Sequence, residues 1–279
     1  KVYKGYVDTW TQKLNESIAY YSPKTIDAPT QKVTSIIPLT TSQEYKNSKV
    51  YDSIGVSVPW SQGYTGKGVT IADVGTGISV LNTDVNRFLT KDNVIDIGSQ
   101  RDSNGLSYRR IISYGAISDI TLKSISGVTK KTYTTAPTVV IEGNGTGAKA
   151  IAKLDSSGNV SLILMTSFGE NYSGDITVKL VDGNGVVDTT VNTSALLAGV
   201  DYNGHGTAVA SLMVGAYDNN NIVGVAYDAN LIVVKAGDSG ISPLDALDGA
   251  RLAAQKGATI INQSFGSGKT YTPLKVEYI

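Results

Sequence analysis

With 279 residues, 41% hydrophobic and 17% charged, the chain is long enough for one large domain or two small ones and apolar enough for a packed core. Its 24 basic and 24 acidic residues cancel, so no net field favours nucleic acid or an anionic membrane. The lack of cysteine excludes disulfides, thiolate metal sites and cysteine nucleophiles, and no apolar run reaches the roughly 18 residues of a membrane span.

Residues 1–50 are polar, with sparse apolar periodicity and turn formers such as YSPKT and DAPTQ. This segment is expected to be an extension that wraps a domain or links to something upstream. The amino end, KVYKGYVDTW, is not a signal peptide, and QKLNESIAYY holds an Asn-Glu-Ser triplet of the glycosylation type. Low charge with abundant Tyr, Thr, Ser and Asn leans towards an extracellular or cell-surface protein, beginning here after processing.

From Tyr51 the character changes. A Gly- and Ser-rich loop, SVPWSQGYTGKG, runs into the buried apolar strand VTIADV and a tight Thr-Gly turn. This opens a first α/β segment over residues 51–115. Residues 116–190 read differently, as short alternating runs (ISDITLKSI, PTVVIEG, AKAIAKLD, VSLILM, DITVKLVDG) separated by Gly, Asn, Asp and Ser. Period-two alternation at this spacing predicts a small antiparallel β unit. KTYTTAPTVVIEG and ENYSGDITVKLVDG are weakly self-similar, like β repeats of extracellular and phage-associated proteins. DSNG at 102–105 and DGNG at 182–185 read as turn chemistry.

Residues 191–279 return to α/β texture. HGTAVASLMVGA is a helix-forming run of small residues, ANLIVVKAG a buried strand, PLDALDGARLAAQKGA an amphipathic helix with a Gly stop, and TIINQSFGS another strand. Strands alternating with helices predict a parallel sheet covered on both faces, with the β-rich unit inserted into it.

His205, the one histidine, lies between two glycines at a helix start. Such glycines let the backbone turn sharply and leave the imidazole accessible, as an acid/base residue needs. Four segments in order then resemble the subtilisin-like serine proteases, the subtilases. SQGYTGKGVTIADVGTGI resembles the family's first strand and its catalytic-aspartate turn. DYNGHGTAVAS resembles the catalytic-histidine motif, with Ala208 where a second histidine is usual. NIVGVAYDANLIVVKAGDSG resembles the Gly-Val-Ala-Pro segment and the next core strand, with Tyr227 in place of proline. GATIINQSFGS resembles the strand whose Ser-x-Gly end lines the substrate cleft.

The resemblance implies part of the subtilase three-layer sandwich, a mostly parallel sheet between helices, carrying a β-rich insertion. It implies an Asp-His-Ser triad with His205 as general base, and Ser264, Phe265 and Gly266 on the substrate-binding strand. The aspartate position, however, is occupied by Gly75. Asp73 shares its face of the strand but is displaced by about 6.6 Å, too far for a histidine placed for residue 75 unless a bulge re-aims it. Disabling that aspartate costs about four orders of magnitude in turnover.

The nucleophilic serine and the oxyanion-binding asparagine are expected past Ile279, so this chain alone is expected to be inactive. A half-domain leaves sheet edge and core exposed, so a C-terminal remainder or a partner chain is expected to complete the fold. GDSG at 237–240 reads as a loop bordering the cleft rather than as a nucleophile segment at Ser239. The loop YDNNNIVGV, through Asn219 and Asn221, is a weak candidate for a structural calcium ion; no other cofactor is expected.

The implied function is a serine endopeptidase acting on peptide or protein substrates. Two alternatives stand beside it. One is a non-catalytic relative that keeps the cleft for extracellular peptide binding; the other is a structural or adhesive surface protein whose contacts lie on the insertion.

Overall fold

Alternation along the first strand decides the layout. In β1 (Thr70–Gly75), Ile71 packs into one apolar cluster and Ala72 and Val74 into another, because successive side chains point to opposite faces. The computed structural model describes residues 39–48, 50–102, 104 and 106–266. The polar extension up to residue 38, the triplet at Asn15–Ser17 and residues 267–279 lie outside the described residues.

The strands β2 (Val94–Arg101) and β3 (Ser107–Ile112) follow β1 and pair antiparallel with each other. Beyond the insertion come β10 (Asn230–Lys235) and β11 (Ile260–Asn262). Together these form one sheet of order β11-β1-β10-β2-β3, parallel except at β3. Helix α4 (His205–Val214) covers the face bearing Ile71, Leu231 and Val233 through Ala210 and Val214. Helix α5 (Pro243–Gln255) covers the other face, placing Ala253 against Ala72, Val74, Ile232 and Val234. This is the expected sheet between helices.

Three short helices precede β1: α1 (Gln43–Asn47), α2 (Val50–Ile54) and α3 (Ser57–Ser61). Their aromatics Tyr45, Tyr51 and Trp60 bury against the loop that follows α4. Tyr227 joins them, its ring 5.7 Å from Trp60 and edge-on. An aromatic here extends this cluster where a proline could not.

The insertion is a β sandwich. β4 (Ile117–Ser124) pairs with β9 (Val191–Leu197), so by hydrogen bonding the unit runs to Leu197. The second sheet has the order β7-β6-β5-β8, formed by β5 (Thr138–Glu142), β6 (Thr146–Leu154), β7 (Val160–Glu170) and β8 (Thr177–Val181). Ile117, Ile163, Met165 and Leu180 fill the space between the sheets. The two similar segments each bury a tyrosine, Tyr133 and Tyr172, ahead of strands β5 and β8, which pair with each other.

Loops of the Asp-x-x-Gly kind are closed by their own aspartates. Asp102 Oδ1 accepts the N–H groups of Asn104 and Leu106, and Asp182 Oδ1 those of Asn184 and Val186. At the root of the insertion, Asp96 is buried, pairs with Arg110 at 2.8 Å and accepts the Gly199 N–H at 2.9 Å. Arg110 in turn lies over the Phe168 ring of β7. The junction is therefore anchored by a buried charge pair, whose disruption would leave an unpaired ion in the core.

Candidate active site

The carboxyl ends of β1, β10 and β11 meet in one place, and the returning chain is fastened there. Past Gly75 the turn through Gly77 (φ +95°) lets the backbone of residue 199 approach so closely that a Cβ on residue 77 would lie 2.3 Å from the Gly199 oxygen. Ile78 N–H donates to Gly199 O and Asp201 N–H to Ile78 O, each at 3.0 Å. The segment leading into α4 is thereby held against the end of β1.

Asp201 organises the start of that helix. Gly204 at the N-cap has no side chain to offer, and its φ of +99° supplies the sharp turn. Asp201 caps from three residues upstream: Oδ1 accepts the N–H groups of Asn203 and Gly204 and the Thr76 hydroxyl, and Oδ2 accepts the N–H and hydroxyl of Thr207. Burial alone would raise the Asp201 carboxyl. The hydrogen bonds from Thr207, Gly204 and Asn203 outweigh it and hold the group below the usual carboxylate value. Thr76 Oγ1 also accepts the Gly206 N–H at 2.8 Å, tying the β1 turn to the helix.

The two glycines around His205 thus have different jobs. Gly204 makes the turn. Gly206 permits contact, since a Cβ there would lie 2.3 Å from the Gly77 oxygen.

His205 is exposed, and its Nε2 lies 2.8 Å from the Ser264 carbonyl oxygen. Ser264 Oγ is bonded to the Asn262 side chain, and Asn262 Nδ2 donates to Asp73 Oδ1 at 2.8 Å. Asp73 and Asn262 are register partners on β1 and β11, which is why they meet. Only 4% of Asp73 is exposed. Burial pushes its carboxyl up to about 6, against the Asn262 hydrogen bond and the nearby His205, with Asp201 pushing the same way as burial.

Position 75 has room for a side chain: a Cβ would meet Asp73 Oδ2 at 3.5 Å and Gly206 Cα at 3.9 Å, ordinary contacts. β1 keeps a regular register with β10 along Thr70–Gly75 and with β11 along Ile71–Asp73, so no bulge re-aims Asp73. Among the described residues, no hydrogen bond joins it to the imidazole. Across the sheet, Lys235 pairs in register with Gly75; its buried ammonium is held by Thr76 O, Val200 O and Asp238.

Phe265 and Gly266 continue exposed beyond Ser264. Ser239 is exposed on the loop after β10, and the imidazole's polar contact is to Ser264 rather than to it. Ala208 lies on the exposed side of α4. A groove of about 810 Å³ lined by Lys91, Ile112, Tyr114, Phe168 and Glu170 lies at the insertion junction and shares no residue with this site.

Asp201, Thr76, Asn262 and Lys235 were not singled out from the sequence. For Asp201 a signal existed: an aspartate four residues before the histidine, with a threonine two after it, can cap the helix from both ends of the turn. Lys235 closing the apolar run LIVV was a second. The contact of Asn262 with Asp73 has no local signature.

A model of the subtilase family matches residues 66–278. Among curated proteins, the "Major intracellular serine protease" of Bacillus subtilis (strain 168) is 27% identical over 120 residues, 42% of this chain. The match spans 37% of that protein's length.

Proposed function

Because the chain belongs to the subtilase family, we propose that it forms the histidine-bearing part of a serine endopeptidase domain acting on peptide or protein substrates. The observation that carries this reading is the exposed imidazole at the carboxyl end of a parallel sheet, where such sheets bind ligands, beside the open strand end Ser264–Gly266. His205 would take the proton of a nucleophilic hydroxyl and return it to the leaving amine. Ser264 is not that nucleophile in our reading, since its hydroxyl is held by Asn262. The backbone of residues 264–266 would pair with an extended substrate.

The test is hydrolysis of fluorogenic peptides by the whole protein. His205→Ala should lower turnover about a hundredfold, the lower end for a general base; equal turnover in both proteins would overturn the reading. With Gly75 at the aspartate position, we propose that native turnover is feeble. That residue also favours a second reading, a non-catalytic relative that binds peptide in the same cleft, in an extracellular setting. Binding without cleavage, lost on altering Ser264–Gly266, would favour it. The outer edge of β11 bears Ile260 and Ile261, 52% and 36% exposed. We propose that a further strand, from following chain or a partner, covers them.

We also propose a structural calcium ion, at a place that refines the Asn219 and Asn221 assignment. Glu44 and Asp84 are fully buried, and Glu44 Oε1 and Asp84 Oδ2 have no hydrogen-bond partner. The other oxygen of Glu44 accepts the N–H groups of Asp218 and Asn219, and Asn221 Nδ2 donates to Asp84 Oδ1. Asn219 therefore contributes backbone, at φ +66°, while Asn221 holds a carboxylate.

Among the described residues no three carboxylate or imidazole side chains converge on a metal position. Two carboxylates completed by carbonyl oxygens are still a hard-oxygen set of the kind calcium takes. Burial, with the charge of Asp218, raises both carboxyls. Without a cation their ionisation therefore opposes folding, increasingly so as pH rises from the ordinary carboxylate value through the raised one. Calcium should raise the melting temperature over EDTA, by about 2.7 kcal/mol of stability at a hundredfold excess over Kd. The gain should be larger at pH 7.5 than at pH 5. No difference, or one retained in Glu44→Gln/Asp84→Asn, would sink this proposal.

A further inference from the structure

Position 75 carries glycine and position 73 a buried acid. Here they occupy one space. Side chains 73 and 75 share the face of β1 that looks onto the first turn of α4. The Asp73 carboxylate reaches along the strand until Oδ2 is 3.5 Å from where a Cβ of residue 75 would begin, and that point is 3.9 Å from Gly206 Cα, next to His205. The acid has thus covered much of the separation that a comparison of strand positions suggests.

It is also held there. Asn262 Nδ2 fixes Oδ1, and the same asparagine fixes Ser264, whose carbonyl meets the imidazole at 2.8 Å. No lysine or arginine pairs with Asp73 among the described residues. Lys235, the cation nearest in register, is committed to Asp238 and two backbone carbonyls.

We propose that Asp73 is a positioning carboxylate for His205 in this protein, acting beside the ring and through the Asn262–Ser264 bridge, as a weak substitute for an acid at position 75. The inference rests on the reading of His205 as a general base. A buried acid is costly unless it is used or paired, and against that burial its ionised form is favoured by the Asn262 hydrogen bond and then by the charge of His205. The other charged group facing this position, Asp201, is spent on the cap of α4.

In the whole protein, with the Asp73 carboxyl carbon followed by NMR, His205→Ala should move the Asp73 carboxyl titration to higher pH, because the charge of His205 favours the ionised acid. His205 is exposed, so its replacement leaves the fold intact. An unmoved Asp73 signal in His205→Ala overturns the proposal. That titration needs no substrate, whereas failure of the whole protein to cleave peptides would strike the protease reading alone.

Discussion

Placing an aspartate at position 75 is expected to restore turnover only when Asp73 is removed with it. Position 75 accepts a Cβ at ordinary contact distances, so Gly75→Asp should fold. Its carboxylate would, however, stand beside that of Asp73, whose Oδ2 is already 3.5 Å from the new Cβ. Two carboxylates sharing a site cannot both ionise readily, and a protonated acid stabilises an imidazolium poorly. Measured as kcat/KM on the whole protein, Asp73→Val/Gly75→Asp should exceed Asp73→Val by up to about 10⁴-fold, the worth of a triad aspartate. Gly75→Asp alone should gain far less. Equal gains with and without Asp73 would show that the two acids do not share the space.

Removing Asp73 by itself should stabilise the fold, and the direction follows from linkage. The folded value of Asp73, about 6, lies above the ordinary aspartate value of 3.8, so the folded state holds the proton more tightly than the unfolded one. Ionisation therefore opposes folding: the penalty is absent below the ordinary value, grows between there and about pH 6, and is complete above it. Asp73→Val should raise the melting temperature more at pH 7.5 than at pH 4.

Gly206→Ala is expected to damage the molecule more than any change at the neighbouring Gly204. A methyl group on residue 206 would lie 2.3 Å from the Gly77 oxygen and 3.0 Å from Thr76 Oγ1. The atom in the way is backbone in a turn whose other side is packed on residue 199, so the strand cannot withdraw. α4 would have to move off β1 and break the Gly206–Thr76 and Thr207–Asp201 bonds. Overpacking of this kind costs on the order of 3 kcal/mol or more.

Gly204 has open space around its Cβ position. Gly204→Ala meets only the left-handed backbone penalty, about 1–2 kcal/mol. Urea unfolding of the two variants checks the order. A Gly206→Ala protein as stable as Gly204→Ala would show that α4 is not docked as described.

The sequence by itself determined the architecture, because its signals are local. The apolar runs in VTIADV and ANLIVVKAG, the small-residue run after His205 and the Gly stop after α5 each report a strand or helix within a dozen residues. The period-two runs from residue 117 likewise announced the β unit. What the site does with those elements was decided by contacts between residues far apart in the chain: Asp73 with Asn262, Thr76 with Asp201, His205 with Ser264, and Glu44 with the backbone of Asp218 and Asn219.

Counted along β1, Asp73 is two residues from where an acid belongs. A side chain, though, is placed by its neighbours across the sheet and by the helix above it, and only strand register and helix docking bring those together. Gly206 makes the same point. Sequence shows a glycine, but only the closeness of the Gly77 oxygen shows that nothing larger fits.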